Sequence, residues 1–145
     1  MYLRSAKLAR AAQLGFEYPL ALDSAQIEEA SMERDRRLQV LFVCSRNQWR
    51  SPTAERVWRN SSDLAVRSAG TSPNARHRVT QQDLRWADTI LVMEEKHKSR
   101  LLAEFGRIIQ TKPIHVLDIP DEYKFMDPEL VNELKRAVSA VLGLD

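Results

Sequence analysis

The sequence predicts an α/β fold in which helices cover both faces of an open four-stranded parallel sheet. Three observations lead to this prediction. Four short apolar segments lie between residues 38 and 117, and helix-like patterns separate them. The first segment, Leu38–Cys44, is almost continuously apolar, as expected of a strand that is buried on both faces. Strands that alternate with helices favour right-handed crossovers and therefore a parallel sheet.

The four strands are expected where short apolar runs are followed by polar or small residues. These runs are residues 38–44, 64–66, 89–93 and 114–117. In an open parallel sheet, ligands bind beyond the carboxyl ends of the strands. The residues that follow these runs are therefore the first candidates for a functional site.

Four helices are expected over residues 51–60, 80–87 and 96–105 and from residue 128 onwards. Ser51 and Pro52 are favourable at the N-cap and at the first helical position. Thr80 is expected to cap the second helix, Gly106 to end the third and Asp127 to cap the fourth. The last helix carries apolar residues on one face, namely Leu130, Val131, Leu134, Val138 and Val141.

Residues 1–37 are predicted to form an N-terminal extension, flexible or loosely helical, ahead of a single domain over residues 38–145. The extension begins with basic residues, because the first acidic residue is Glu17. A basic, acid-poor start is also typical of a targeting presequence or a partner-binding arm. A simple extension, with Met32 as a candidate natural start, is favoured because this segment carries no chemical motif.

The composition narrows the class of protein. The chain of 145 residues is 43% hydrophobic and 29% charged, and its net charge of +2 is too balanced to indicate a nucleic-acid binder. No apolar run approaches the roughly 20 residues that span a bilayer, so no membrane association is expected. The single cysteine favours a reducing compartment, hence the cytoplasm. Three scattered histidines suggest no metal site, and no cofactor is expected; the oligomeric state stays open.

Cys44 and Arg50 form the most informative pattern of the chain. Cys44 ends the first strand, five residues separate it from Arg50, and Ser51 and Pro52 follow directly. The backbone N–H groups of a short strand-to-helix loop can converge on one point, and the helix adds unpaired N–H groups and its positive dipole end. The pattern predicts an anion site of a size that suits a phosphate-like group.

A thiol at the floor of such a site is expected to be a nucleophile. A helix N-terminus and a neighbouring cation favour the thiolate form of cysteine, and Ser51 is placed to donate a hydrogen bond to the sulfur. The planar guanidinium of Arg50 matches two phosphate oxygens and can stabilise charge in the transition state. A buried structural cysteine and a surface arginine would explain each residue separately, but not their spacing ahead of a helix.

The segment from Val43 to Glu55 resembles the signature of the low-molecular-weight protein tyrosine phosphatases, V-C-x-G-N-x-C-R-S-P-x-A-E. Further similarity lies in residues 68–71, 87–94 and 119–124, the last of which resembles a bacterial I-P-D-P-Y-R segment. The resemblance covers about residues 38–142. It is closest to a compact bacterial-type branch, because the region between Thr71 and Ala87 is short.

The resemblance implies a two-step hydrolysis of phosphotyrosine in a protein, or of a small aryl phosphate. Cys44 would form a phosphocysteine, Arg50 would bind the phosphoryl group, and Asp121 would protonate the leaving oxygen and then activate water. Asn47, supported by Ser68, would hold a left-handed turn, which asparagine tolerates. The implied substrate-binding residues are Ser45, Arg46, Asn47, Gln48, Trp49, Ser51 and, as an aromatic wall, Tyr123.

Several departures from the family pattern bear on activity. Arg46 replaces a glycine; it would be strained at a positive φ, or would add positive charge to the mouth of the site. Trp49 replaces a frequent second cysteine, so no protective disulfide can form beside the nucleophile. Glu122 replaces proline after the expected acid, and Glu94 and His97 stand where aspartate and asparagine are usual.

Two questions stay open at the level of the sequence. Asp118 and Asp127 are rivals to Asp121 as the general acid, although Asp127 fits a helix N-cap. A non-catalytic module that binds phosphate or a phosphoprotein is an alternative to an enzyme. An arsenate reductase is a further alternative, but it would need an external thiol because the chain has one cysteine.

Overall fold

The computed structural model describes residues 37–144 and confirms a four-stranded parallel sheet with helices on both faces. The predicted extension therefore lies outside the described residues, apart from Arg37. The strands are β1 (Leu38–Cys44), β2 (Leu64–Gly70), β3 (Thr89–Val92) and β4 (Ile114–Val116). The helices are α1 (Arg50–Trp58), α2 (Gln81–Trp86), α3 (Glu95–Ile109) and α4 (Pro128–Leu142).

The strand order β2-β1-β3-β4 places β1 in the interior of the sheet. β1 pairs with β2 along its whole length, so that Cys44 lies opposite Gly70, and with β3 on its other side, where Val43 lies opposite Val92. The chain reverses its direction of winding between β1 and β3. Open sheets bind ligands at this switch point, beyond the carboxyl ends of the two strands, which is where β1 ends in Cys44.

The residues of β1 divide the core into two layers. Val40 and Phe42 pack in one cluster with α1 and α4, whereas Leu41 and Val43 pack in the other with α2 and α3. All four of these side chains are fully buried. The continuous apolar run in the sequence thus reflects a strand covered on both faces.

Two predicted helix caps are present. The Thr80 side chain accepts a hydrogen bond from the backbone N–H of Asp83, whose carboxylate accepts one from the Thr80 N–H in return. Asp127 accepts a hydrogen bond from the backbone N–H of Glu129 at the start of α4. Leu130, Leu134 and Val138 form the buried face of that helix, as its periodicity predicts.

Two predicted helix ends are wrong. α1 begins at Arg50 with Trp49 at the N-cap position and no capping side chain, because the Ser51 hydroxyl is directed to other buried partners. α3 continues past Gly106 to Ile109, with a local break at Phe105. Ile109 is almost fully buried in the second core cluster, and this burial stabilises a helical turn that the glycine alone disfavours.

Between residues 37 and 144, no helix has both the length and the apolar character that crossing a membrane requires. The same part of the chain contains no group of three or more histidine, cysteine, aspartate or glutamate side chains arranged to hold a metal ion.

Candidate active site

The loop between β1 and α1, residues 45–49, turns sharply at Asn47, which has a φ of 55°. The Asn47 side chain is fully buried and donates through Nδ2 to the hydroxyl oxygens of Ser51 and Ser68, each at 2.9 Å. Ser68 in turn donates to the Glu55 carboxylate at 2.6 Å. The support that Ser68 was expected to give Asn47 is therefore present, and it extends to Glu55.

The segment after β2, residues 71–76, fixes one side of this loop by hydrogen bonds to its carbonyls. The carbonyls of Cys44, Ser45 and Arg46 accept hydrogen bonds from the backbone N–H groups of residues 71, 72 and 76, at 2.9–3.0 Å. The carbonyl of Asn47 accepts one from the Arg76 side chain at 3.0 Å. Since a trans peptide directs its N–H opposite to its carbonyl, the N–H groups of residues 45–48 are turned to the other side of the loop. The sequence predicts an anion cradle on that side of the loop.

Gly70 allows the segment after β2 to approach the loop so closely. A Cβ atom at this position would lie 2.5 Å from the carbonyl oxygen of Ser45 and 2.6 Å from the Cβ of Ala75. Contacts this short do not occur between packed atoms, so a side chain here would displace the loop. Gly70, in the run of small residues after the second predicted strand, is therefore required for the loop to keep this position.

A cavity of about 100 Å³ lies at the carboxyl end of β1. Its lining residues are Cys44, Ser45, Arg46, Gln48, Trp49, Arg50 and Asp121. The cysteine, the arginine and the aspartate singled out in the sequence thus share one cavity, although Asp121 is far from the other two along the chain.

The Cys44 sulfur lies 3.0 Å from Ser51 Oγ. Because Ser51 Oγ accepts a hydrogen bond from Asn47, its own proton is free for another acceptor. The sulfur is nearer than the alternative acceptor, the Ala69 carbonyl at 3.3 Å. The network therefore places a hydroxyl group within hydrogen-bond distance of the sulfur.

Arg50 is buried, with 2% of its side chain exposed, and it is not a surface charge. Its Nη1 donates to Glu94 Oε2 at 2.9 Å and to the Ile119 carbonyl at 2.8 Å. Both protons of Nη1 are thereby used, so the edge formed by Nε and Nη2 stays available for bidentate binding of an oxyanion. Glu94, which the sequence marked only as a departure from the family pattern, is the residue that orients this guanidinium.

The charge of Glu94 is itself stabilised by its surroundings. Burial acts to raise its pKa, but the hydrogen bond and positive charge of Arg50, with a smaller contribution from Lys96, hold the pKa below its usual value. The carboxylate is consequently ionised at neutral pH and pairs with Arg50.

Of the three candidate general acids, only Asp121 lines the cavity. Its Oδ1 lies 3.7 Å from Nε of Arg50, and its side chain is 56% exposed. Asp118 is exposed after β4 with a φ of 57°, and Asp127 caps α4. Ile119, whose backbone N–H donates to the Met93 carbonyl at 2.9 Å, brings the segment that carries Asp121 to the cavity.

His97 lies beside the candidate site, although the sequence analysis named it only as a departure from the family pattern. The side chain is 1% exposed, and its Nε2 lies 2.8 Å from Ser45 Oγ while its Nδ1 accepts the backbone N–H of Glu94 at 3.0 Å. Burial, and secondarily the charge of Arg50, lower its pKa to about 4. The sequence could have indicated this, because His97 lies in the first turn of the helix that follows β3, at the sheet edge that carries Cys44.

The remaining predicted binding residues divide into two groups. Arg46, Gln48 and Trp49 are exposed at the cavity, and Arg46 does not have the positive φ that would strain it. Asn47 and Ser51 are buried behind the loop and support it. The structure does not bring Tyr123 into the cavity lining, because its ring packs against the core cluster of Phe42 and Leu130.

No protein-family model and no curated protein sequence matches the chain. Solved structures do match it. The tyrosine phosphatase Wzb from Escherichia coli K30, in complex with phosphate, is 21% identical, with a TM-score of 0.57 over 72% of this chain and 96% of that one. The YwlE arginine phosphatase from Geobacillus stearothermophilus is 18% identical, with a TM-score of 0.55 over 73% and 94%.

A low molecular weight phosphotyrosine phosphatase from Vibrio cholerae O395 is also similar, at 23% identity and a TM-score of 0.54 over 74% of this chain and 94% of that one. These similarities span nearly the whole length of the solved structures. The part of the chain from β1 to α4 therefore has the fold of the bacterial low-molecular-weight protein tyrosine phosphatases.

Proposed function

We propose that this protein hydrolyses phosphomonoesters through a phosphocysteine intermediate and that its substrate is phosphotyrosine in proteins. The observation that carries the proposal is that Cys44, Arg50 and Asp121 line one cavity beneath the N-terminus of α1. A nucleophile, an oxyanion-binding fork and a proton donor are the groups that such a displacement needs.

In the first step the Cys44 thiolate attacks phosphorus and the bond to the leaving oxygen breaks. Protonated Asp121 gives its proton to that oxygen, while Arg50 and the loop N–H groups bind the three remaining phosphoryl oxygens. In the second step the Asp121 carboxylate takes a proton from water as the water attacks phosphorus. The sulfur–phosphorus bond breaks, inorganic phosphate forms, and the thiolate returns.

Two features support an aromatic leaving group. Cys44 is 3% exposed at the floor of the cavity, so the phosphorus has to be carried inwards on a long and narrow group. Trp49 is 39% exposed at the cavity, where its ring can pack against a phenyl ring.

The lone cysteine, which a reducing compartment keeps as a thiol, supports a cytoplasmic location.

A substrate panel tests the proposal. Full-length protein should hydrolyse p-nitrophenyl phosphate and a phosphotyrosine peptide, with much lower kcat/KM for the same peptide bearing phosphoserine. Phosphoarginine belongs in the panel because one structural neighbour is an arginine phosphatase. Phosphate binding without turnover of any substrate would identify a binding module instead, and a preference for phosphoarginine would reassign the substrate.

Oxidation provides a second test of the thiol. Peroxide should inactivate the enzyme by oxidising Cys44 first to sulfenic acid and then to irreversible states, because the chain has no second cysteine to resolve the first product. Rescue by dithiothreitol should fade as exposure lengthens, and saturating phosphate should slow inactivation by occupying the cavity. Equal rates with and without phosphate would contradict a thiol in the site.

A further inference from the structure

His97, Ser45 and the backbone of Glu94 form a chain of hydrogen bonds that ends at the cavity. The Glu94 N–H lies 3.0 Å from Nδ1 of His97, and Nε2 of the same ring lies 2.8 Å from Ser45 Oγ. His97 is 1% exposed, whereas Ser45 is partly exposed and lines the cavity beside Cys44.

The direction of each hydrogen bond in this chain follows from the first one. A backbone N–H can only donate, so Nδ1 of His97 must accept and cannot carry a proton. In a neutral ring the proton is then on Nε2, which donates to Ser45 Oγ. Ser45 therefore accepts from His97, and its own hydroxyl proton is left for a different acceptor.

The surroundings of His97 maintain this neutral tautomer. A proton added to Nδ1 would face the N–H of Glu94, and the ring is buried near the positive charge of Arg50, which lowers its pKa to about 4. Within the described residues, no side chain or carbonyl accepts the Ser45 hydroxyl proton. Ser45 lines the cavity, so an oxyanion bound there is a candidate acceptor for that proton.

We infer that the Ser45 hydroxyl donates a hydrogen bond to a phosphoryl oxygen in the cavity, and that His97 is the positioning residue that fixes this direction. The inference rests on the proposed function, because it assigns one more donor to the same oxyanion. His97 acts only through Ser45 and does not touch the substrate. Because its ring is neutral, His97 fixes the direction of the Ser45 hydroxyl without adding a charge that would compete with the pairing of Arg50 and Glu94.

A double-mutant cycle tests the inference. Ser45→Ala should lower kcat/KM for p-nitrophenyl phosphate by roughly 10–100-fold, the usual effect of a hydrogen bond to a charged group. His97→Leu should cause a similar loss. The double variant should lose little more than either single variant, since His97 would act through a hydroxyl that is already absent. Additive losses, or an unchanged Ser45→Ala variant, would overturn the inference.

Conservative variants separate positioning from general stability. Ser45→Thr retains a hydroxyl and His97→Gln retains an N–H donor, so both should keep most of the parent activity. His115→Gln is the control, because His115 is exposed on β4 outside the cavity. Nitrogen-15 NMR of the histidine rings in the parent should show Nδ1 of His97 unprotonated and Nε2 protonated. The opposite tautomer would overturn the inference whatever the kinetics show.

The same cycle, measured as the dissociation constant of inorganic phosphate, separates this inference from the proposed function. If the parent binds phosphate but turns over no phosphomonoester, coupled losses of phosphate affinity would support the Ser45 donor while the enzymatic proposal fails. If the parent turns over substrate and Ser45→Ala matches it, the inference alone fails. A parent that neither binds phosphate nor acts on a phosphomonoester would overturn both.

Discussion

Cys44→Ser should lower kcat for p-nitrophenyl phosphate by roughly 10⁴–10⁶-fold, the scale observed when a hydrolase loses a nucleophile that forms a covalent intermediate. A serine hydroxyl at this position stays protonated, because the structure places no general base against it: its neighbour at 3.0 Å is the hydroxyl of Ser51. The rest of the site, including buried Arg50, should be unchanged.

Phosphate binding is the control for this variant. Since the loop N–H groups and Arg50 remain, inorganic phosphate should bind with a dissociation constant within about tenfold of the parent value, a difference of about 1.4 kcal/mol. Isothermal titration calorimetry measures this directly, and thermal unfolding confirms that the variant is folded. Retention of most of the phosphatase activity by the serine variant would rule out Cys44 as the nucleophile.

Asp121→Asn should lower kcat for phenyl phosphate by roughly 10²–10⁴-fold, the usual effect of losing a positioned general acid. The loss should shrink for dinitrophenyl phosphate, because that phenolate is stable enough to leave without a proton. A plot of log kcat/KM, which reports only the steps up to departure of the phenol, against the pKa of that phenol should therefore be steeper for the variant than for the parent. A parallel displacement of the two lines would show that Asp121 does not protonate the leaving group.

Asp127→Asn and Asp118→Asn are matched controls in the same segment of the chain. Asp127 caps α4, and asparagine caps a helix about as well as aspartate. Asp118 has a φ of 57°, which asparagine also tolerates. Both variants should keep the parent dependence on the leaving group. If Asp127→Asn alone steepens the plot, the acid is Asp127, and Asp121 is not part of the chemistry.

The elements that carry strong local signals agree between sequence and structure. β1 was predicted over its full length because burial on both faces makes its run from Val40 to Val43 continuously apolar. The N-caps at Thr80 and Asp127 were predicted because they depend on residues three or fewer positions apart. The end of α3 was predicted wrongly at Gly106, because the burial of Ile109 is decided by the sheet and not by the helix itself.

In the site, too, residues close together in the sequence were predicted, whereas the roles of residues brought in from distant elements were not. The spacing of Cys44, Arg50 and Ser51 predicted the nucleophile, the cation and the hydroxyl near the sulfur, since all three lie on one strand–loop–helix unit. The roles of Glu94 and His97 escaped the sequence analysis, because they reach the cavity only through the pairing of β3 beside β1. The packing of Tyr123 on the core was not predicted, because its own neighbourhood cannot show whether its ring packs on the core or faces the cavity.

The sequence by itself determined the class of fold, the cradle after β1 and the chemistry that a thiol and a guanidinium can perform there. The tertiary structure alone decided which edge of Arg50 is free, which of three aspartates lines the cavity, and why residue 70 must lack a side chain. The physical reason is that side-chain spacing along one element is set by local backbone geometry. Hydrogen-bond direction and close approach depend on atoms that only the packing of distant elements brings together.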